Sequence, residues 1–253
     1  MEMLLLGAFW IGLGKIIWVN LLLSGDNAVV IALASRSLPP AQQKKAIFWG
    51  SAAAVIMRVI LTIFAVALLT LPWLKIVGAV LLLWIGVKLL VPEEGGDEIA
   101  SSDNLLAAIK TILIADLVMS LDNVLAVAAA ADSAAPTVEL AAMKYTLLVL
   151  GLAISIPIVI FGSTLMLKLM ERWPVIITLG GALLGWIAGE MMVTDPAIVA
   201  WVEHNAPWLE TWRVAAIIGA ALVIAIGMGL AKRKAKEHAS SKSAAAASER
   251  PNS

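Results

Sequence analysis

Runs of about 20 apolar residues recur along this chain, each long enough to cross a hydrocarbon core about 30 Å thick. In lipid every backbone N–H and C=O has to be satisfied within the protein, so such runs fold as helices or closed barrels. The strict apolar–polar alternation of a barrel strand is absent. Hydrophobic residues make up 61% of the chain and charged residues 14%, against about half apolar in a soluble domain. The expected fold is therefore all-α and polytopic, with the lipid bilayer as its partner.

The runs divide the chain into seven expected spans, at 10–34, 46–71, 73–91, 105–131, 143–169, 174–193 and 212–231. Residues 1–91 then hold spans one to three, 92–104 a polar linker, 105–194 spans four to six, 195–211 a loop and 212–231 the last span. The polar, Ala/Ser-rich tail 232–253 reads as disordered. Trp49, Trp73, Trp173 and Trp212 fall near span ends, where amphipathic rings settle. No Lys or Arg precedes Lys15, so the N-terminus lacks the basic region of a cleaved signal peptide and the first span is expected to be kept. Basic residues cluster at Arg36, Lys44 and Lys45, at Lys168 and Arg172, and from Lys232 to Lys236. With seven spans these share one side, which puts the N-terminus out and the C-terminus in the cytoplasm.

Several functions are excluded early. The chain has no cysteine, hence no disulfide, thiolate metal site or cysteine nucleophile. Its two histidines, His204 and His238, fall in a loop and in the tail. Net charge is zero, so nothing argues for nucleic acid. Neither an enzyme nor a permanently bound cofactor is expected.

Against this apolar background, "LLLSGDN" at 21–27 and "LVMSLDN" at 117–123 place the same polar core inside spans one and four. Asp26-Asn27 and Asp122-Asn123 lie 96 positions apart, and that shift also sets Asn20 on Asp116, Ser24 on Ser120 and Gly25 on Leu121. Spans three and six match at a shift of 102, with Trp84 on Trp186 and Lys88 on Glu190. The chain thus reads as two three-helix repeats plus one extra C-terminal helix. An odd number of spans per repeat inverts the second copy, an arrangement that recurs in secondary transporters with midplane sites at interrupted helices.

A carboxylate in a bilayer costs at least a few kcal/mol, so Asp26, Asp116 and Asp122 need a reason to stay. One reason is structural: Asp and Asn can cap broken helices or tie spans together. The functional reason is a cation site, because carboxylate, amide and hydroxyl oxygens are hard ligands for Mg²⁺, Ca²⁺ or Mn²⁺. Asp116 and Asp122 stand six residues apart, about 9 Å along a regular helix and about 120° around it. One ion therefore reaches both only if the helix distorts. Gly25 permits such a distortion in the first copy, and Leu121 does not in the second. Alternatively Asp26 and Asp122 form one site and Asp116 another. The candidate ligands are Asp26, Asp122, Asp116, Asn20, Asn27 and Asn123. Ser24, Ser120, Arg58, Glu190 and Met119 are supporting or gating candidates. Arg58, inside span two, reads first as the ion-pair partner that balances a carboxylate without metal. Glu190 reads as a gate or interface charge near the outer end of span six, with a ligand or proton carrier as the alternative. Met119 reads as packing, with a thioether ligand for Mn²⁺ or Fe²⁺ as the alternative.

"VNLLLSGDNAVVIALAS" at 19–35 and "DLVMSLDNVLAVAAAA" at 116–131 resemble the TerC family of integral membrane proteins, within the wider lysine-exporter superfamily. The resemblance covers about 10–231. It implies seven spans, a bacterial cytoplasmic membrane and, from members linked to manganese, export of Mn²⁺ by alternating access with proton exchange as an option. It also implies the paired site positions Asn20 and Asp26, Asp116 and Asp122. Many members have an acid where this chain has Asn20, so its charge stoichiometry departs from theirs. Two other readings compete. One is a non-transporting scaffold of a metal or tellurite stress system, which would tolerate loss of the aspartates. The other is an intramembrane aspartyl protease, whose paired acids share a proton. Its Gly-x-Gly-Asp signature fails here, because Leu23 stands at the first glycine and Leu121 precedes Asp122.

Overall fold

The computed structural model describes residues 7–22, 24–64, 71–91, 101–134, 141–211 and 213–248. Side chains at 7–9, 19–22, 63, 101–103, 122–134, 141–145, 147–148 and 238–248 lie outside that description. All regular elements among the described residues are helices: α1 (Gly7–Leu22), α2 (Gly25–Ser35), α3 (Pro40–Ile63), α4 (Leu74–Leu90), α5 (Ser101–Ala134), α6 (Ala141–Arg172), α7 (Val175–Val193), α8 (Val199–Asn205), α9 (Trp208–Thr211) and α10 (Val214–Ser248).

Among the described residues, five stretches are long and apolar enough to cross a membrane: Pro40–Thr62, Asn104–Leu121, Val149–Arg172, Val175–Val193 and Val214–Glu237. Helix α4, at 17 residues, is about 25 Å long. The first expected span is described as two helices, α1 ending at Leu22 and α2 starting at Gly25, with Ser24 as a turn residue at φ −106°. Ser, Gly, Asp and Asn in succession are all weak helix formers, and their short polar side chains compete for the backbone. Gly25 is not in the left-handed region, and a Cβ there would meet nothing within 4 Å. Local polarity, rather than a steric need for glycine, marks the break. The second copy, with Leu121 at that register, stays within the unbroken α5.

Large apolar side chains cover the outside. Trp10, Ile56, Phe161, Leu179 and Ile217 are each more than half exposed, the reverse of a soluble protein and the natural state of a lipid-facing surface. Inside, α3 packs on α5, α1 and α2 pack on α6, and α4 packs on α7. Val30, Leu82, Val118, Met119, Leu184 and Met191 join α2, α4, α5 and α7 in one apolar core. Helix α10 lies along α7 and α4. Its approach to α7 is set by small residues: a Cβ on Gly185 would fall 2.3 Å from the Gly219 carbonyl oxygen, and one on Gly189 2.1 Å from that of Ala215. Between membrane helices, where apolar burial provides no drive, such backbone proximity provides the attraction.

In the tail, the last helix α10 runs on through Ser248, its Ala, Lys and Arg being strong helix formers. The loop 195–211 contains the short helices α8 and α9.

Candidate functional site

The central polar group is built by three helices. On α5, Asp116 and Ser120 are one turn apart and face α3. The Arg58 guanidinium reaches across from α3: Nη2 donates to Asp116 Oδ1 at 2.5 Å, and Nε donates to Ser120 Oγ at 3.0 Å. Ser120 Oγ in turn donates to Asp116 Oδ2 at 3.3 Å. Arg58 is 4% exposed and Asp116 5%. Two opposite charges this deep hold each other, because either alone would be stranded in an apolar interior. Thr62 braces Arg58 from the next turn, donating to its carbonyl at 2.7 Å.

From the third side comes α2. Asp26 lies in its first turn, where a carboxylate is favoured by the helix dipole, and its Oδ1 accepts the Asn27 N–H at 2.8 Å. Asp26 interacts electrostatically with both Arg58 and Asp116. Asn27 is buried beside them. A cavity of about 10 Å³, room for about one water, is lined by Asn27, Ser51, Arg58 and Asp116 among apolar Ile31 and Val159.

The break at Ser24 and the unbroken α5 therefore bring Asp26, Asn27, Arg58, Asp116 and Ser120 together. Ser24 is buried at the N-cap of α2, its carbonyl accepting the Ala28 N–H at 3.0 Å. The side chains of Asn20, Asp122 and Asn123 lie outside the described residues; their backbones belong to α1 and α5. Met119 is buried in the apolar core with Val118, Leu184 and Met191. Glu190 is elsewhere, ion-paired with Arg213 at the α7–α10 end. Among the described residues no three acids or histidines stand close enough to hold a metal by themselves.

Sequence reasoning missed Ser51. Its hydroxyl is 1% exposed, makes no hydrogen bond and lines the same cavity. The signal was present: Ser51 is seven residues before Arg58, two turns along one face of α3.

Openings lie at both ends of α4. One, of about 210 Å³, is lined by Arg36, Ser37, Lys88, Asn104 and Thr111. There Arg36 Nη2 donates to the Leu89 carbonyl at 3.0 Å, a cation on the C-terminal end of a helix. The other, of about 480 Å³, is lined by Lys75, Glu190, Thr194, Glu210 and Arg213. Its rim is pinned by Asp195, at the start of the connection between α7 and α8. The Asp195 carboxylate accepts N–H bonds from Trp73 at 2.9 Å, Lys75 at 3.0 Å, Ile76 at 3.2 Å and Ala197 at 2.7 Å. Burial alone pushes this carboxyl up, but the four donors outweigh it and hold it below the ordinary range. The same bonds fix Trp73 in the left-handed region at φ 70°, which an L-residue otherwise avoids.

Residues 5–244 match the family model described as "Integral membrane protein TerC family". YjbE, named an uncharacterized membrane protein of Bacillus subtilis (strain 168), is 44% identical over 197 residues, 78% of this chain and 86% of that protein. YkoY and YceF, two more uncharacterized membrane proteins of that organism, are each 27% identical. YkoY aligns over 79% of this chain and 69% of its own length, YceF over 72% and 70%. No solved structure matches the chain.

Proposed function

This chain belongs to the TerC family of integral membrane proteins, and we propose that it serves as a transporter exporting a divalent metal cation, Mn²⁺ foremost, by alternating access with protons as the counter-substrate. The observation that carries this reading is Asp116, a carboxylate buried in an apolar bundle and neutralised by Arg58. A guanidinium in that position performs the neutralising task of a cation. A divalent ion that displaces it finds oxygen donors from α2 and α5, a hard set suited to Mn²⁺, Mg²⁺ or Ca²⁺. Such ligands have to be deprotonated to bind metal, so ions and protons compete for them.

The helix pairing supports an inverted repeat. Exchanging the halves turns the α3–α5 contact into that of the α1–α2 pair with α6, and turns the α4–α7 contact into itself. Openings at the two ends of α4 suit access from alternate sides. The reading includes seven spans, with the N-terminus outside and the basic loop 36–45 and the C-terminus in the cytoplasm of a bacterium. Cysteine labelling at Ser37 and Ser241 in intact cells checks that orientation; ready labelling from outside at either position reverses it.

Reconstitution in liposomes tests the function. A panel of divalent ions is presented with and without a pH gradient, and Asp26→Asn, Asp116→Asn and Asp122→Asn are compared with the parent. We expect Mn²⁺ flux that each substitution abolishes in folded protein. Undiminished flux in all three variants refutes the cation site.

A further inference from the structure

A helical serine or threonine in an apolar setting has a default partner, the carbonyl one turn back. This protein follows it at Thr62, Thr111, Ser155, Ser163, Thr164 and Thr194, with bonds of 2.7 to 3.1 Å. Ser120 departs from it because Asp116 and Arg58 engage its hydroxyl. Ser51 departs with nothing in exchange: its Oγ is buried and has no hydrogen bond, although α3 places the Ile47 carbonyl one turn behind it. Ser35 also has an unbonded hydroxyl, but at the far end of α2 and not in the cavity with the acids. A buried hydroxyl without a protein partner is destabilising unless something polar enters beside it. It is tolerated at Ser51 in the cavity that also touches Asp116, Arg58 and Asn27.

We infer that Ser51 Oγ is a ligand oxygen of the transported cation, supplied by α3 to complete the set from α2 and α5. The inference rests on the reading of Asp116 as part of a cation site. While Arg58 sits on Asp116, the cavity has room for about one water. When the guanidinium withdraws, the vacated space adjoins both the carboxylate and the Ser51 hydroxyl, and an ion entering there meets two oxygens already facing it. A hydroxyl is a neutral hard donor, so it adds affinity without adding charge and favours Mn²⁺ over softer ions such as Cd²⁺.

Initial flux rates of the full-length protein in liposomes, measured against Mn²⁺ concentration with Cd²⁺ as competitor, test this. Ser51→Ala should raise the KM for Mn²⁺ about tenfold, the scale of one lost polar contact. Its melting temperature in detergent should stay level or rise, since an unsatisfied hydroxyl has gone. Ser51→Thr should restore the parental KM. Ser51→Cys, which puts a soft donor in the same place, should shift the Cd²⁺-to-Mn²⁺ preference about tenfold or more toward Cd²⁺. If Ser51→Ala and Ser51→Cys keep the parental KM and preference while Asp116→Asn abolishes flux, Ser51 is not a ligand and the Asp116 site stands. Full flux in Asp116→Asn, or no flux in the parent, overturns both.

Discussion

Removing Arg58 alone should harm the protein far more than removing it together with Asp116. Both side chains are about 5% exposed and joined by a direct ion pair, with Ser120 bridging them. Arg58→Met strands a carboxylate and Asp116→Leu strands a guanidinium. Breaking one side of such a buried pair costs about 3–5 kcal/mol, whereas replacing both partners with apolar groups is near neutral or stabilising. In the double variant Ser120 is also released to bond the carbonyl of residue 116, the default of a helical serine. The singles together should therefore lose about 6–10 kcal/mol and the double close to none, a coupling of about 6–10 kcal/mol. For a chain of this size each single change should lower the melting temperature by about 6–20 °C. Thermal unfolding in detergent, followed by tryptophan fluorescence, measures all four proteins. A double variant as unstable as the two singles combined would refute the reasoning, because the two charges would then not be holding each other.

Asp195→Ala removes the acceptor of the first N–H groups of α4 and should cost about 0.5–2 kcal/mol at neutral pH, with Asp195→Asn losing less. Because the folded carboxyl is held below its unfolded value of about 3.9, its contribution is complete above that pH and is lost as pH falls through the lower folded value. The stability gap between parent and Asp195→Ala should therefore close at acid pH; a gap that stays constant from neutrality to about pH 2 rejects this capping role. Gly189→Ala drives a Cβ toward the Ala215 carbonyl and should cost about 1–3 kcal/mol by forcing α7 and α10 apart. Gly229→Ala on α10, with nothing within 4 Å, should be neutral or gain up to about 1 kcal/mol. Equal melting temperatures for the two glycine variants would remove the close-crossing argument.

What the sequence by itself determined is what lipid forces on any chain. Apolar runs of this length must be helices, which set the all-α membrane class and most of the helix positions. Charges inside those runs must be neutralised, which singled out Asp26, Arg58, Asp116 and Asp122 before any geometry was known. The doubled Ser-x-Asp-Asn core drew attention to the place where the first span breaks. Pairing was a different matter. Residues 58 and 116 lie on separate helices with no periodicity linking them, so only the packing of α3 on α5 decided that they meet. The same packing turned Met119 toward apolar neighbours and sent Glu190 to Arg213. A serine in an apolar run is ordinary by sequence, because it normally satisfies itself on its own helix. That Ser51 does not, and that the space beside it also touches Asp116, depends on three helices converging at one depth. Asp195 read as loop polarity until the fold brought it beneath the first turn of α4, more than a hundred residues earlier in the chain.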